Sequence, residues 1–230
     1  MPATDDEIRE KYLERAIREL NSLTRELQSC QHCPRGNLMP VLGSGHPQAD
    51  VFLLKFAPAA SEVEEGVAFY GRSGTALMKS LKRLGIDPLA VYGTLCVKCP
   101  VSDPSLADPA CIARVLEELA IVAPKIVVVM GDDALAAPEC MARLVEELAI
   151  VQPRIVVVMG PEALETLNEL ALPLAQAIAP RAGEIQTLTP SMEALYVPSI
   201  DDALDEESAK RAFWTAFRAL GAWYADFPPY

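Results

Sequence analysis

The chain has 230 residues, 51% of them hydrophobic, and a formal net charge of −12 at pH 7. This length and hydrophobic content allow a large core without disulfides. The acidic balance counts against a protein built around phosphate contacts, because nucleic-acid-binding domains concentrate Lys and Arg on one face. The longest apolar runs are far shorter than the roughly 20 residues that a membrane-spanning helix needs, and the N-terminus lacks an apolar signal core. We therefore expect a cytoplasmic protein that does not enter a membrane.

The order of hydrophobic patterns predicts strands that alternate with helices. An amphipathic helix is expected over residues 5–29, where Leu and Ile recur at steps of three and four. Further helices are expected over residues 75–84 and 206–220, and a loop over residues 58–74. The predicted strands cover residues 51–55, 92–98, 126–130, 155–159 and 194–197. This alternation predicts an α/β fold, with a parallel sheet of four to five strands and helices on both faces, in a single domain over residues 1–230.

An internal repeat occupies the middle of the chain. Residues 103–131 and 132–160 align without gaps, and 20 of 29 positions are identical. Each copy contains a Pro-x-Cys motif and ends in Ile-Val-Val-Val-Met-Gly. Two copies are fewer than the three or so that a stable solenoid needs. The repeat therefore predicts one duplicated helix–strand unit within the sheet.

The cysteines form the clearest pattern of candidate ligands. There are two Cys-x-x-Cys pairs and two further cysteines: Cys30, Cys33, Cys96, Cys99, Cys111 and Cys140. A Cys-x-x-Cys pair on a loop brings two thiolates to one soft metal, and two pairs make a tetrahedral site. Cys96 lies inside a strand pattern and fits a buried core residue equally well. The spacing indicates a metal centre and leaves zinc and an iron–sulfur cluster open.

Three motifs, in chain order, match one known family. They are Cys30-x-x-Cys33-Pro after a helix, residues 66–74 (Gly-Val-Ala-Phe-Tyr-Gly-Arg-Ser-Gly), and Val97-Lys98-Cys99-Pro100. Together they resemble the family 4 enzymes of the uracil-DNA glycosylase superfamily. The resemblance implies a uracil-DNA glycosylase-like fold, a role in base-excision DNA repair, and a [4Fe–4S] cluster. The cluster ligands that it implies are Cys30, Cys33, Cys99 and Cys111, with Cys140 as the alternative fourth ligand.

The same resemblance implies a substrate pocket whose polar groups are missing. The positions concerned are Phe56, Ala57, Pro58, Phe69, Leu95 and Val197. Phe56 stands where the family has the acidic residue for the attacking water, and Leu95 where an Asn pairs with the uracil edge. Val197 replaces the His that supports the departing base, whereas Phe69 keeps the stacking position. Because apolar side chains offer no donor or charge, the resemblance implies that normal uracil excision is lost.

Three functions stay open at this point. The fold and cluster could serve to bind a partner protein, with DNA binding weakened by the five acids of residues 200–207. An active glycosylase could use a displaced carboxylate from Glu62, Glu64 or Glu65, although these residues are expected to form a solvated acidic loop. A zinc-stabilised α/β binding module, unrelated to the family, is the third alternative.

Overall fold

A seven-stranded sheet organises the described part of the chain. The computed structural model describes residues 5–103, 107–131 and 147–226. The strands are β1 (Ser44–Gly45), β2 (Val51–Lys55), β3 (Val91–Leu95), β4 (Ile126–Met130), β5 (Ile155–Met159), β6 (Ile185–Thr189) and β7 (Met192–Val197). Their order is β1-β3-β2-β4-β5-β7-β6. The five central strands run parallel, and β1 and β6 pair antiparallel at the two edges. The predicted α/β fold with a parallel sheet is confirmed.

Helices cover both faces of this sheet. They are α1 (Asp5–Ser29), α2 (Ala60–Glu65), α3 (Arg72–Arg83), α4 (Pro109–Val122), α5 (Pro161–Glu169), α6 (Ile200–Asp205) and α7 (Glu207–Ala225). Residues 147–151 are also helical. Phe52 and Leu54 point into a core with α4 and α5, whereas Val51 and Leu53 point into a second core with α3 and α7. This alternation follows from the two-residue period of a strand. No helix within the described ranges is both long enough and apolar enough to cross a membrane.

The hydrophobic patterns missed elements that are short or half-exposed. The sheet has seven strands rather than four to five, because β1 and β6 are edge strands with exposed residues. The segment predicted as a loop over residues 58–74 contains α2 and the first turn of α3. Helix α2 spans only six residues and ends at Gly66, whose φ is +72°. A helix this short has too few apolar positions to show a period.

The two copies of the repeat lie side by side in the sheet. Strands β4 and β5 pair in parallel so that each residue faces its equivalent, from Ile126 opposite Ile155 to Met130 opposite Met159. The preceding helices also end alike, at Ala123 and Gln152, both with φ of +47°. Each of these two residues donates its N–H to the carbonyl four residues earlier. The start of the second copy, including Cys140, lies outside the described residues.

The left-handed helix end at Ala123 generates a stability prediction. This conformation costs an L-residue roughly 1–2 kcal/mol, and glycine avoids the penalty but loses more backbone entropy on folding. Ala123 is exposed, so its methyl group contributes little to packing. We expect Ala123→Gly to raise the free energy of unfolding by about 0.5–1 kcal/mol, measured by urea denaturation. Ala120→Gly, at an exposed position inside the same helix, should lower it by about 1 kcal/mol. Equal destabilisation by both changes would contradict this account.

Candidate metal centre and adjoining pocket

Three buried cysteines converge beyond the carboxyl end of β3. The Sγ atoms of Cys33, Cys99 and Cys111 all lie within 4.8 Å of one another. The Cys33 and Cys111 sulfurs are 3.7 Å apart. The three residues come from the loop after α1, the loop after β3 and the first turn of α4. A buried group of cysteine sulfurs is the donor set of a soft metal such as zinc or of an iron–sulfur cluster.

The start of α4 explains how the sulfurs are positioned. Asp108 caps the helix, since its carboxylate accepts the N–H of Ala110 at 2.7 Å. Pro109 occupies the first turn, where a missing N–H costs nothing. The Asp108 N–H donates to Cys33 Sγ at 3.2 Å. Because α4 begins at Pro109, Cys111 lies in its first turn. The partial positive charge at this end of the helix favours a thiolate.

Burial raises the pKa of two of these thiols, those of Cys33 and Cys111. The pKa of the Cys111 thiol is raised by its hydrogen bond with Cys99 and by burial. Burial also raises the pKa of the Cys33 thiol. Three buried thiolates need compensating positive charge, because an isolated buried charge is very costly. A bound metal supplies such charge, so the residues present fit a metal centre.

The other cysteines divide between the loop and the core. Cys30 is buried at the end of α1, but its sulfur is not part of the three-sulfur group. Its carbonyl accepts a hydrogen bond from Arg35 at 2.6 Å. Cys96 packs in the core on the α4 side of the sheet, as the strand pattern allowed. The second Cys-x-x-Cys pair thus contributes Cys99 to the group and leaves Cys96 outside it.

A buried ion pair lies next to the cysteine group. Lys98 Nζ is 2.7 Å from Glu118 Oε2, with side chains only 1% and 8% exposed. The Thr94 and Tyr92 hydroxyls donate to the Glu118 carboxylate at 2.8 and 3.2 Å. Lys98 also donates to the Leu95 carbonyl at 3.1 Å and to the Thr94 hydroxyl. Every charge in this network has partners, which is the condition for burying it.

This ion pair connects two of the segments that carry cysteines. Lys98 directly precedes Cys99, and Glu118 follows Cys111 by seven residues, which places it two turns further along α4. The pair therefore holds the loop after β3 against α4. Sequence reasoning missed it. The sequence feature that could have revealed it is Lys98 itself, a lysine within a predicted strand. A buried lysine requires an acidic partner.

A pocket of about 100 Å³ opens at the carboxyl edge of the sheet. The last residues of β2, β4 and β5 line its floor, and the starts of α3 and α6 line its sides. Its lining includes Lys55, Glu62, Phe69, Arg72, Ser73 and Asp201. Open α/β sheets bind ligands in crevices at this edge, which makes this pocket the candidate substrate site.

Glu62 is the buried carboxylate of this pocket. Its side chain is 1% exposed. It accepts the N–H of Ala59 at 2.7 Å and the N–H of Phe69 at 2.5 Å. Lys55 Nζ lies 2.5 Å from its Oε2 atom. The expectation of a solvated acidic loop is therefore wrong for Glu62, whereas Glu64 and Glu65 are exposed. Its position in the first turn of α2, typical of a capping glutamate, was the available signal.

Phe69 is held in a fixed orientation above the sheet. Its φ is +62°, and Glu62 binds its N–H. The ring packs closely on Gly93 of β3, where a Cβ atom would lie 2.6 Å from Phe69 Cδ2. Lys55 Nζ lies over the ring, 5.9 Å from its centroid. The ring therefore forms a rigid wall of the pocket, with a cation beside it.

The remaining predicted pocket residues lie elsewhere. Phe56 is buried in the core on the α4 side, and Val197 in the core on the α7 side. Leu95 is buried against Val41 and Ala68, with Phe69 packed alongside. Ala57 and Pro58 are partly buried. Of the six predicted residues, Phe69 alone lines the pocket.

Comparison with known proteins bears on the same part of the chain. Residues 42–139 match the profile of the Uracil DNA glycosylase superfamily. The resemblance to that superfamily is confirmed. Proteins named type-4 uracil-DNA glycosylase from Pyrobaculum aerophilum and Sulfurisphaera tokodaii are each 32% identical over 123 residues, 49% of this chain. The chain covers 61% and 54% of these relatives, so it spans little more than half of their length. The matched segment includes the pocket residues Lys55, Glu62 and Phe69.

The cysteine group generates a prediction about metal content. Cys33→Ser, Cys99→Ser and Cys111→Ser should each reduce the iron or zinc bound per chain, because each removes one sulfur from the group. Cys96→Ser is the matched control, since Cys96 is just as buried but packs in the core. Metal would be quantified by mass spectrometry on anaerobically purified protein. Equal loss of metal in the Cys96 variant would contradict the assignment.

The buried ion pair generates a prediction about stability. Glu118→Gln leaves the Lys98 ammonium buried without a counter-charge, which should lower the free energy of unfolding by about 3–5 kcal/mol. Glu117→Gln makes the same chemical change at an exposed position of the same helix and should change it little. Replacing both partners, as Lys98→Met with Glu118→Leu, should recover much of the loss. Comparable stability of the two Gln variants in urea would refute a structural role for the pair.

Proposed function

We propose that this chain is a family 4-like iron–sulfur protein of the uracil-DNA glycosylase superfamily, linked to base-excision DNA repair and lacking normal uracil excision. The superfamily match and the type-4 relatives support the family and its link to DNA. The observation that carries the loss of activity is the burial of apolar side chains at Phe56, Leu95 and Val197. These are the positions at which the resemblance requires an acid, an Asn and a His.

The proposed cluster is a [4Fe–4S] centre held by Cys30, Cys33, Cys99 and Cys111. Four cysteine ligands are what such a cluster takes, and three of these sulfurs already converge. Cys30 precedes Cys33 by three residues and is buried directly after the end of α1. The metal analysis of the cysteine variants also separates the two metals. About four irons per chain support the cluster, whereas one stoichiometric zinc would contradict it.

The proposed loss of excision follows from what the reaction needs. A glycosylase must flip the nucleotide, hold the base and stabilise the charges that develop as the glycosidic bond breaks. Removing one such electrostatic group typically reduces the rate by about 10²–10³. Phe56, Leu95 and Val197 carry no polar group, and each is at most 5% exposed. Because these three side chains are themselves apolar, a small shift of the backbone would not supply the missing charge or hydrogen-bonding group.

Lys55 gives a second reason for the loss of uracil excision. The resemblance places a glycine where Lys55 stands. Its ammonium group lies over the Phe69 ring, on a face that a stacked base would need. Insertion of a uracil would therefore require Lys55 to leave its ion pair with Glu62. Separating a buried pair leaves the carboxylate without its counter-charge, which is costly.

Charge limits the proposed affinity for DNA. The chain carries a net charge of −12, and the acidic residues 200–207 form α6 and the start of α7 beside the pocket. Few cations are therefore available to displace counterions from a duplex. The proposed DNA contact is accordingly weak, and a partner protein that recruits the chain to DNA is compatible with the same charge.

An alternative function is an active glycosylase that uses Glu62, which the structure places in the pocket wall. Against it, both carboxylate oxygens already accept hydrogen bonds or pair with Lys55. An attacking water would compete with three existing partners.

Uracil release from DNA tests the proposal directly. We expect no release from single- or double-stranded oligonucleotides that contain one uracil, because three separate terms of transition-state stabilisation are absent. The type-4 relative from Pyrobaculum aerophilum, assayed beside it, serves as the positive control. Release would be quantified from the shortened strand that alkali produces at the resulting abasic site, resolved by chromatography. Robust release by the unmodified chain, abolished by Glu62→Gln, would show that a displaced carboxylate acts and would make the proposal wrong.

A further inference from the structure

Lys55 is an amine placed at the base-binding wall of the pocket. It is the last residue of β2, and its side chain is 16% exposed. Its Nζ atom lies 5.9 Å from the centroid of the Phe69 ring and 2.5 Å from Glu62 Oε2. An amine so placed is both accessible from the pocket and adjacent to a group that can accept its proton. A lysine that served only to pack the core would need neither access from the pocket nor a neighbouring proton acceptor.

The position of Lys55 over the Phe69 ring favours a nucleotide that lacks a base. A nucleotide with a base would have to displace Lys55 from the face of Phe69. An abasic nucleotide has no base, and its ring-opened deoxyribose carries an aldehyde at C1′. Lysine amines react with such carbonyl groups to form imines. An abasic sugar therefore need not displace Lys55 from the ring, and its aldehyde is the chemical complement of the amine.

We infer that the pocket binds the abasic deoxyribose of DNA and that Lys55 forms an imine with its C1′ aldehyde. This inference rests on the proposed link to base-excision repair, because abasic DNA is what base excision leaves. It names the product of excision, rather than a uracil nucleotide, as the ligand of the site.

The step balances with the groups at hand. The Lys55 ammonium gives one proton to the Glu62 carboxylate, and the free amine attacks the C1′ carbonyl carbon. The carbonyl electron pair moves to its oxygen, which takes the second amine proton and gives a carbinolamine. Glu62 then returns its proton to that hydroxyl group, water leaves, and a protonated imine remains. No oxidant or reductant is consumed.

Two other lysines show why position matters. Lys98 is 1% exposed and enclosed by Glu118 and Thr94, so an aldehyde on DNA has no access to it. Lys125 pairs with Asp50 at 2.7 Å and directly precedes β4, at the opposite edge of the sheet from the pocket. Lys125 is therefore a suitable control for the reactivity of an accessible, ion-paired lysine.

Borohydride trapping tests the inference. The protein would be mixed at low salt with a single-stranded oligonucleotide that contains one abasic site. Borohydride delivers hydride to an imine and leaves a stable secondary amine, which is detected as a protein–DNA adduct on a denaturing gel. We expect an adduct, with the modified peptide mapped by mass spectrometry to Lys55. The same oligonucleotide carrying uracil in place of the abasic site should give none.

Matched variants separate chemistry from folding. Lys55→Arg keeps the positive charge beside Glu62 but cannot form the imine, so it should lose the adduct while retaining the thermal stability of the parent. Lys125→Arg should trap as well as the parent. An adduct that persists in Lys55→Arg, or that maps to another residue, overturns the inference.

The assay also distinguishes this inference from the proposed function. An oligonucleotide whose abasic aldehyde has been reduced to the alcohol reports binding without imine formation, measured by fluorescence anisotropy. Absence of the adduct overturns the inference whether or not this oligonucleotide binds. Uracil release by the native chain would overturn the proposed function instead, and it is measured in a separate reaction.

Discussion

The parallel pairing of β2 with β3 and β4 places both candidate sites at one edge of the sheet. Lys55 lies level with Leu95 on one side and Met130 on the other. Chain segments that leave these strands therefore emerge together. One carries Lys55 and Glu62 into the pocket, and the next carries Lys98 and Cys99 to the cysteine group. Parallel strands bring their carboxyl ends to the same edge, which is why ligand sites in α/β proteins collect there.

Buried charge is the second constraint, and the chain meets it in the same way at both sites. Lys98 and Glu118 are paired beside the cysteine group, and Lys55 and Glu62 are paired in the pocket. Further hydrogen bonds complete each pair. Backbone N–H groups donate to the Glu62 carboxylate, the Thr94 hydroxyl donates to Glu118, and Lys98 donates to the Leu95 carbonyl. The two pairs differ in access. The first is enclosed and joins structural segments, whereas the second lines the pocket.

The polar groups in the pocket are not the ones that the family resemblance implies. The positions that would carry an acid, an Asn and a His in the family hold buried apolar side chains, which pack with the surrounding cores. Lys55 at the end of β2 and Glu62 in α2 form an ion pair in the pocket wall instead. Under the proposed function, groups suited to breaking a glycosidic bond are absent, and the pocket wall carries an amine, whose natural reaction is with a carbonyl group. The stacking ring of Phe69 remains because Gly93 leaves room for it.

The amino-acid sequence alone determined the α/β class, the five parallel strands, the repeat and the resemblance to the uracil-DNA glycosylase superfamily, because strand periods, exact repetition and cysteine motifs are local properties. It also indicated Cys33, Cys99 and Cys111 as ligands through the resemblance. Only the tertiary structure decided that Cys96 packs in the core and that Glu62 is buried rather than solvated. It also decided that Lys98 meets Glu118, 20 residues away. Such partnerships join segments far apart in the chain, and the burial of a charge depends on neighbours that no local pattern specifies.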